Sequence, residues 1–357
     1  MRLRHPSGRI VHLGCEIASR YSSGTASNLP GIVRQLDTYG AVRARLGADA
    51  LGVNLWLPPA LAAALAVESR ARTRLRAELD ARRLEVVTLS GAPFAEGGGG
   101  TSRPPSNAGA SPAGASAVVA PPNSDAAEAA EKAEKAEKAR EAGEAAKAGE
   151  AEKPWTDPAR REYTLDLARV LLDLLDDDAV RGTVSTIGLG PRAGWAEAED
   201  KAALGILRRL SHGLADLAWQ NGRAVRVGFQ PAEGYVLDSP EQTVAALSRV
   251  DKDRLGVCLD LGHCERTWDD PAAGIETITD AGLAIVEVRV VAVPGATTSG
   301  WRDGLRQLFG PGGPLTENLT LVSGTPTADQ ITNDVTYLLA ELAALGLQPE
   351  NEPCAAR

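Results

Sequence analysis

Short β-branched runs alternate along the chain with longer segments whose apolar residues recur at helical spacing. RIVHLGC (Arg9–Cys15) precedes LPGIVRQLDTYGAVRARL. LGVNLWL (Leu51–Leu57) precedes PPALAAALAVESRARTRLRAELDARR, whose Pro-Pro start suits a helix N-terminus. LEVVTL (Leu84–Leu89) meets a long interruption before its helix, DPARREYTLDLARVLLDLL. GTVSTIGL (Gly182–Leu189) is followed by a helix through LGILRRLSHGLADLAWQ, and AVRVGFQP (Ala224–Pro231) by SPEQTVAALSRV. LGVCLDLG (Leu255–Gly262) is followed by DPAAGIETITDAG, and LAIVEVRVVAV (Leu283–Val293) by a short, Gly-broken segment. NLTLVS (Asn318–Ser323) is followed by TADQITNDVTYLLAELAAL.

Eight strand-like runs, each with a helix-sized follower, imply a parallel sheet. Packed into so few residues, eight such units imply closure into a (β/α)8 TIM barrel, one domain spanning 1–357. An open doubly wound sheet would want a Gly-rich phosphate loop after its first strand. HLGCEIASRYSSG has no GxGxxG, and nothing in the chain reads GxxxxGK[ST]. The barrel's working face is then the C-terminal ends of its strands: Cys15 and Glu16, Asn54, Thr88 and Ser90, Thr186, Gln230, Asp260 and His263, Arg289 and Ser323.

One stretch breaks the pattern. From Ala95 to Lys153, after the third strand, the sequence turns to Gly, Ser, Pro and Ala and then to AEKAEKAEKAREAGEAAKAGEAEK. The first half has too little apolar content to offset ordering entropy, and predicts disorder. The second half predicts a lone helix, with Glu131–Lys135 and Glu134–Lys138 as favourable i,i+4 pairs. It carries no apolar stripe to direct packing, which reads as a solvated insertion; a helix that docks on a partner is the alternative.

Composition narrows the function classes. The 357 residues carry a formal charge of -9, which argues against a nucleic-acid or membrane-surface binder, since both need a cationic footprint. No apolar run approaches the roughly 20 residues of a membrane span. The basic start, MRLRHPSGRIVHLGC, lacks the apolar core of a secretory signal. Four cysteines without CxxC spacing fit a reducing cytoplasm rather than a disulfide framework or structural zinc.

The densest polar constellation joins FQPAEGY (Phe229–Tyr235) to LDLGHCE (Leu259–Glu265), at the ends of the fifth and sixth strands. Asp260 ends an apolar run, where a carboxylate is costly unless paired, hydrogen-bonded or bound to metal. With His263 three residues on, it offers a carboxylate and an imidazole for metal binding or proton transfer. The alternative is structural: Asp260 caps the following turn and His263 bonds a backbone carbonyl. Glu233 in the PAEG turn and Glu16 after Cys15 are weaker candidates, each read more readily as an ordinary glutamate. Cys258 and Cys264 flank the pair and read as buried, inert thiols. Ser185 and Thr186 suit a phosphate or hydroxyl but also serve as barrel fillers, and Trp155 and Trp195 read as packing.

LGCEIASR with NLPGIVRQL, LGVNLWL, LEVVTLSGAPF, the segment from Trp155 through YTLDLARVL, and VSTIGLG together resemble the EboE-type metabolite-traffic proteins. Those are barrels of the xylose-isomerase-like superfamily of sugar-phosphate isomerases and epimerases. FQPAEGYVLDSPEQTVAAL and LGVCLDLGHCERTWDDPAAGI resemble its fifth- and sixth-strand motifs, and the likeness is weakest after Val293. The resemblance implies a metal site at the ends of the last four strands, where this chain places Gln230, Asp260 with His263, Arg289, and Val322 or Ser323. Asp260 alone keeps its family anchor, so a divalent metal (Mn, Zn or Mg) could rest only on Asp260 and His263. A cation at position 289 repels a metal, and the expectation is an Arg289–Asp260 ion pair or an anion site facing Arg289. The resemblance implies an isomerase or epimerase-like protein acting on a sugar-like or phosphorylated metabolite. Asp260 and His263 would be catalytic, and Gln230, Glu233, Arg289 and Glu16 would bind substrate. Its alternative is a metal-free binding or traffic protein of a secondary-metabolite pathway, working with other pathway proteins.

Overall fold

In the computed structural model, the residues described are 1–17, 29–91, 153–291, 300–323 and 327–350. Contacts group 1–94 with 153–357 as one compact unit and 95–152 as a second. The second unit, which is the expected insertion up to Glu152, lies outside the described residues.

The chain opens with β1 (Arg2–Arg4) and then lays down eight parallel strands. These are β2 (Ile10–Ile17), β3 (Leu51–Trp56), β4 (Leu84–Ser90), β5 (Arg181–Ile187), β6 (Ala224–Gln230), β7 (Leu255–Asp260), β8 (Ile285–Val290) and β9 (Asn318–Leu321). Each pairs with the next, and β9 returns to β2 from His12↔Asn318 to Cys15↔Leu321. That last pairing closes the barrel. Outside it, β1 runs antiparallel to β2 and to β10 (Gln348–Pro349), a small ladder the hydrophobic pattern does not announce.

The helices between the strands are α1 (Leu29–Leu46), α2 (Pro59–Val67), α3 (Ser69–Ala81), α4 (Pro158–Leu174), α5 (Glu197–Asn221) and α6 (Pro240–Leu247). They continue with α7 (Leu261–Thr267), α8 (Pro271–Asp280), α9 (Gly300–Leu308) and α10 (Ala328–Ala344). The single long helix expected after β3 is two, because Glu68 adopts an extended conformation that ends α2 and begins α3. The Gly-broken segment after β8 supplies α9, which buries Trp301, Leu305 and Leu308. Caps follow sequence signals: Asp157, Ser239, Asp270 and Thr327 each accept from the first turn of their helices.

The apolar core lies between the helices and the outer face of the barrel. α4 buries Leu167, Val170, Leu171 and Leu174 against it, each contributing about 2 kcal/mol. Gly182 of β5 leaves the room that Leu171 fills, since a Cβ there would meet Leu171 Cδ2 at 2.7 Å. The inner face is different. Asn54, Ser90, Thr183, Ser185, Glu287, Arg289, Asn318 and Thr320 are all buried. Hydrogen bonds join neighbouring strands at Ser90–Asn54 and Thr320–Glu287, and cross between strands that are not neighbours at Asn54–Glu287, Arg289–Ser90 and Asn318–Thr183. The barrel's interior is a polar network inside an apolar jacket.

Candidate functional site

Glu287 and Arg289 stand two residues apart on β8, so strand alternation sends both inward. Arg289 is 1% exposed and Glu287 fully buried. Arg289 pairs with the carboxylate of Glu16 on β2. Its Nη1 also donates to Ser90 Oγ at 3.2 Å and stands 3.7 Å from Glu287 Oε1. Ser90 Oγ in turn donates to Asn54 Oδ1 at 3.1 Å. Glu287 Oε1 accepts from Asn54 Nδ2 at 3.0 Å and from Thr320 Oγ1 at 2.7 Å. Burial pulls the Arg289 guanidinium down to about 9, which leaves it a cation at neutral pH. Burial pushes the Glu287 carboxyl up to about 7, against the hydrogen bonds of Thr320, Ser185, Asn54 and Cys258.

The expected Arg289–Asp260 pair does not form. The two residues are register neighbours on β8 and β7, yet the guanidinium crosses to Glu16. The carboxylate of Asp260 is engaged elsewhere: Oδ1 accepts from the backbone N–H of Gly262 at 2.9 Å and of His263 at 3.1 Å, capping α7. Oδ2 lies 3.5 Å from Gln230 Nε2. Turning its amide nitrogen to that carboxylate points Gln230 Oε1 away, and this buried oxygen has no hydrogen-bond partner among the described residues.

His263 is buried, and its ring turns from Asp260 toward the segment after β6. Its Nε2 lies 3.4 Å from Asp238 O, 3.7 Å from Asp238 Oδ1 and 3.2 Å from Thr267 Oγ1. Trp268 Nε1 donates to the same Asp238 carbonyl at 2.9 Å. Glu233 is exposed, in a turn completed by Gly234 at positive φ. The structure therefore brings together Gln230 with Asp260, and separately Glu16 with Arg289. It keeps the His263 side chain apart from the Asp260 carboxylate and leaves Glu233 at the surface.

Burial drives the Cys15 thiol up to about 12 and those of Cys258 and Cys264 well above their ordinary value, so all three are inert at neutral pH. Thr186 faces outward and accepts from Arg160 Nη2 at 2.7 Å, beside Trp155, which packs edge-on against Phe229. Sequence reasoning missed Glu287. Its signal was present in IVEVRV, where two charges at i and i+2 share one face of an otherwise apolar strand.

A closed parallel barrel with polar side chains gathered at its C-terminal mouth defines a (β/α)8 scaffold of the kind that places ligands there. The model of the xylose isomerase-like TIM barrel family matches residues 41–303, and the chain belongs to that family. Among solved structures, an L-ribulose 3-epimerase is similar at 13% identity, over 94% of this chain and 96% of its own, with a TM-score of 0.55. An AP endonuclease of family 2 from Brucella melitensis is similar at 15% identity over 92% and 99%, with a TM-score of 0.54. D-psicose 3-epimerase from Clostridium cellulolyticum H10, solved with D-tagatose, is similar at 13% identity over 94% and 98%, with a TM-score of 0.51. These likenesses concern the fold. No curated protein sequence matches the chain.

The residues at the four expected ligand positions do not make a metal centre. Gln230 supplies a neutral oxygen, Asp260 spends Oδ1 on two backbone donors, and Arg289 is a cation already matched by Glu16. At the fourth position Val322 has no side-chain donor atom, and the Ser323 hydroxyl donates to Asp334 Oδ2 at 2.7 Å. Among the described residues, no three His, Cys, Asp or Glu side chains gather as a ligand set. No helix of the described residues is long and apolar enough to cross a membrane.

Proposed function

We propose that this barrel binds a small hydroxylated metabolite, sugar-like or phosphorylated, at its C-terminal mouth without a divalent metal. The observation that carries the reading is Gln230, whose buried Oε1 has no donor among the described residues and lies beside an Asp260 carboxylate oxygen. A buried acceptor left unmet costs about 1–3 kcal/mol, and a ligand hydroxyl recovers it. The Glu16–Arg289 pair supports metal independence by filling and neutralising the place beside it. This role is that of an EboE-type metabolite-traffic protein of a secondary-metabolite pathway, acting in the cytoplasm with other pathway proteins. One domain built around an insertion at 95–153 is part of the same proposal.

The test is a calorimetric panel of pentoses, hexoses and their phosphates, with and without EDTA, beside elemental analysis of the purified protein. Binding should be the same in EDTA, and Gln230→Leu should weaken it about 10-fold. Stoichiometric Mn, Zn or Mg whose removal abolishes binding would overturn the reading. The second reading is an isomerase or epimerase using Asp260 and His263, favoured by the sugar 3-epimerases of the same fold. It requires turnover of a bound sugar, with Asp260→Asn and His263→Ala each lowering it by about 100-fold.

A further inference from the structure

At the end of the barrel opposite the mouth, the strands begin around a cavity of about 180 Å3. Arg9, Arg181, Arg226 and Glu317 all line it. Three guanidiniums against one carboxylate leave a local excess of positive charge in a chain whose formal charge is -9. Glu317 Oε2 lies 3.1 Å from Arg181 Nε. Arg226 Nε donates to Asp253 O at 3.0 Å, and Arg9 Nη1 donates to Pro314 O at 3.4 Å. Neither terminal nitrogen of Arg226 has an acceptor among the described residues.

The floor beneath these cations is fixed. Asn318 Nδ2 donates to Thr183 Oγ1 and to Val286 O, each at 3.1 Å. The floor groups satisfy one another and have no need of the arginines. Burial, and after it the charge of Arg181, hold the Arg226 guanidinium below its ordinary value against the opposing pull of the Glu317 and Asp253 carboxylates. Two cations side by side with unused donors repel each other, and an anion between them reverses the sign of that interaction.

We propose that this cavity is a binding site for a phosphate dianion, free or carried as the terminal phosphate of a small molecule. Guanidinium forks match phosphate oxygens two at a time. The volume is below the roughly 300–1,000 Å3 of pockets that enclose a drug-sized ligand, and suits one phosphate group with little attached. The site is separate from the mouth in position and in chemistry, so it does not depend on the reading of Gln230 and Asp260.

Titration of the full chain with inorganic phosphate, at ionic strength held constant with chloride, tests the proposal by calorimetry and by 31P line broadening. One saturable site should appear at millimolar phosphate or below. Arg226→Gln and Arg181→Gln should each weaken it at least about 10-fold, and Arg226→Lys should recover part of the loss. Arg208→Gln, on the exposed face of α5, should bind as the wild type does. Glycerol phosphate binding more tightly than inorganic phosphate identifies a phosphomonoester as the source, and the reverse identifies the free ion. A phosphate ligand seated instead at the mouth would respond to Gln230→Leu and not to Arg226→Gln. No saturation up to about 10 mM, or unchanged binding in both glutamine variants that retain native circular dichroism, would overturn the site.

Discussion

Glu287 and Arg289 show how a few side chains set the chemistry of the whole barrel interior. Arg289 is matched by Glu16 inside a space closed to water, where removing either partner leaves an uncompensated charge. Arg289→Met or Glu16→Gln alone should therefore lower stability by about 3–5 kcal/mol, while the double variant recovers most of it. A double-mutant cycle by urea denaturation measures this, and additive losses would deny the coupling. Glu287 gives a pH signature. Its folded value of about 7 lies above the ordinary 4.5, so the native state holds the proton more tightly than the unfolded chain does. Stability from this group is full below about pH 4.5 and is lost as the pH rises through about 7, to a total of about 3 kcal/mol. Glu287→Gln keeps an oxygen for Asn54 and Thr320 but cannot titrate. Between about pH 5 and pH 8 the wild type should lose stability relative to this variant, and parallel pH profiles would show that Glu287 is charged throughout.

Among the elements, α7 is the one that decides how Asp260 is read. The last residue of β7 turns its carboxylate onto the backbone of Gly262 and His263, ending the strand and starting a helix of seven residues. LGHCERT is too short to display a helical period, so its sequence shows the polar cluster and conceals the helix. Asp260→Ala should cost about 1 kcal/mol, and Asp260→Asn, which also caps, less than about 0.5 kcal/mol. If the asparagine variant keeps its melting temperature but loses ligand affinity, the carboxylate has a role beyond capping; if both fall together, capping explains the residue. The eight barrel strands were legible because each is a short run rich in β-branched and apolar residues followed by a helix-sized segment. β1 and β10 were not, having three and two residues and no period to detect. The partner of Arg289 was also hidden. Strand order names Asp260 as the register neighbour, while the choice of Glu16 depends on barrel closure, which sets β2 just beyond β9 on the other side of β8.

At the scale of the molecule, the described residues on either side of the 95–152 segment are both anchored within the barrel. The chain leaves β4 at Gly91, whose N–H donates to Ser185 O at 2.8 Å. It re-enters at Trp155, whose N–H donates to Leu189 O at 2.7 Å. Both anchors therefore lie on β5 or its extension, four residues apart in sequence, a span of about 13 Å along an extended chain. A handful of residues bridges that distance, and loop-closure entropy changes only slowly with length. The composition of the segment, Gly, Ser, Pro and Ala followed by Glu and Lys repeats without an apolar stripe, offers no surface to add to the core. Trp155 is already buried against Phe229 by contacts within the barrel. Joining Phe94 to Trp155 through a short Gly/Ser linker should leave the melting temperature within about 3 °C of the wild type, equivalent to less than about 1 kcal/mol. Ligand binding at the mouth should persist as well, because Gln230 and Asp260 are positioned by β6 and β7 alone. Calorimetric melting of the shortened chain checks the first expectation, and ligand titration the second. A fall of about 10 °C or more would mean that the segment packs on the barrel, and lost binding with an unchanged melting temperature would assign it to the site.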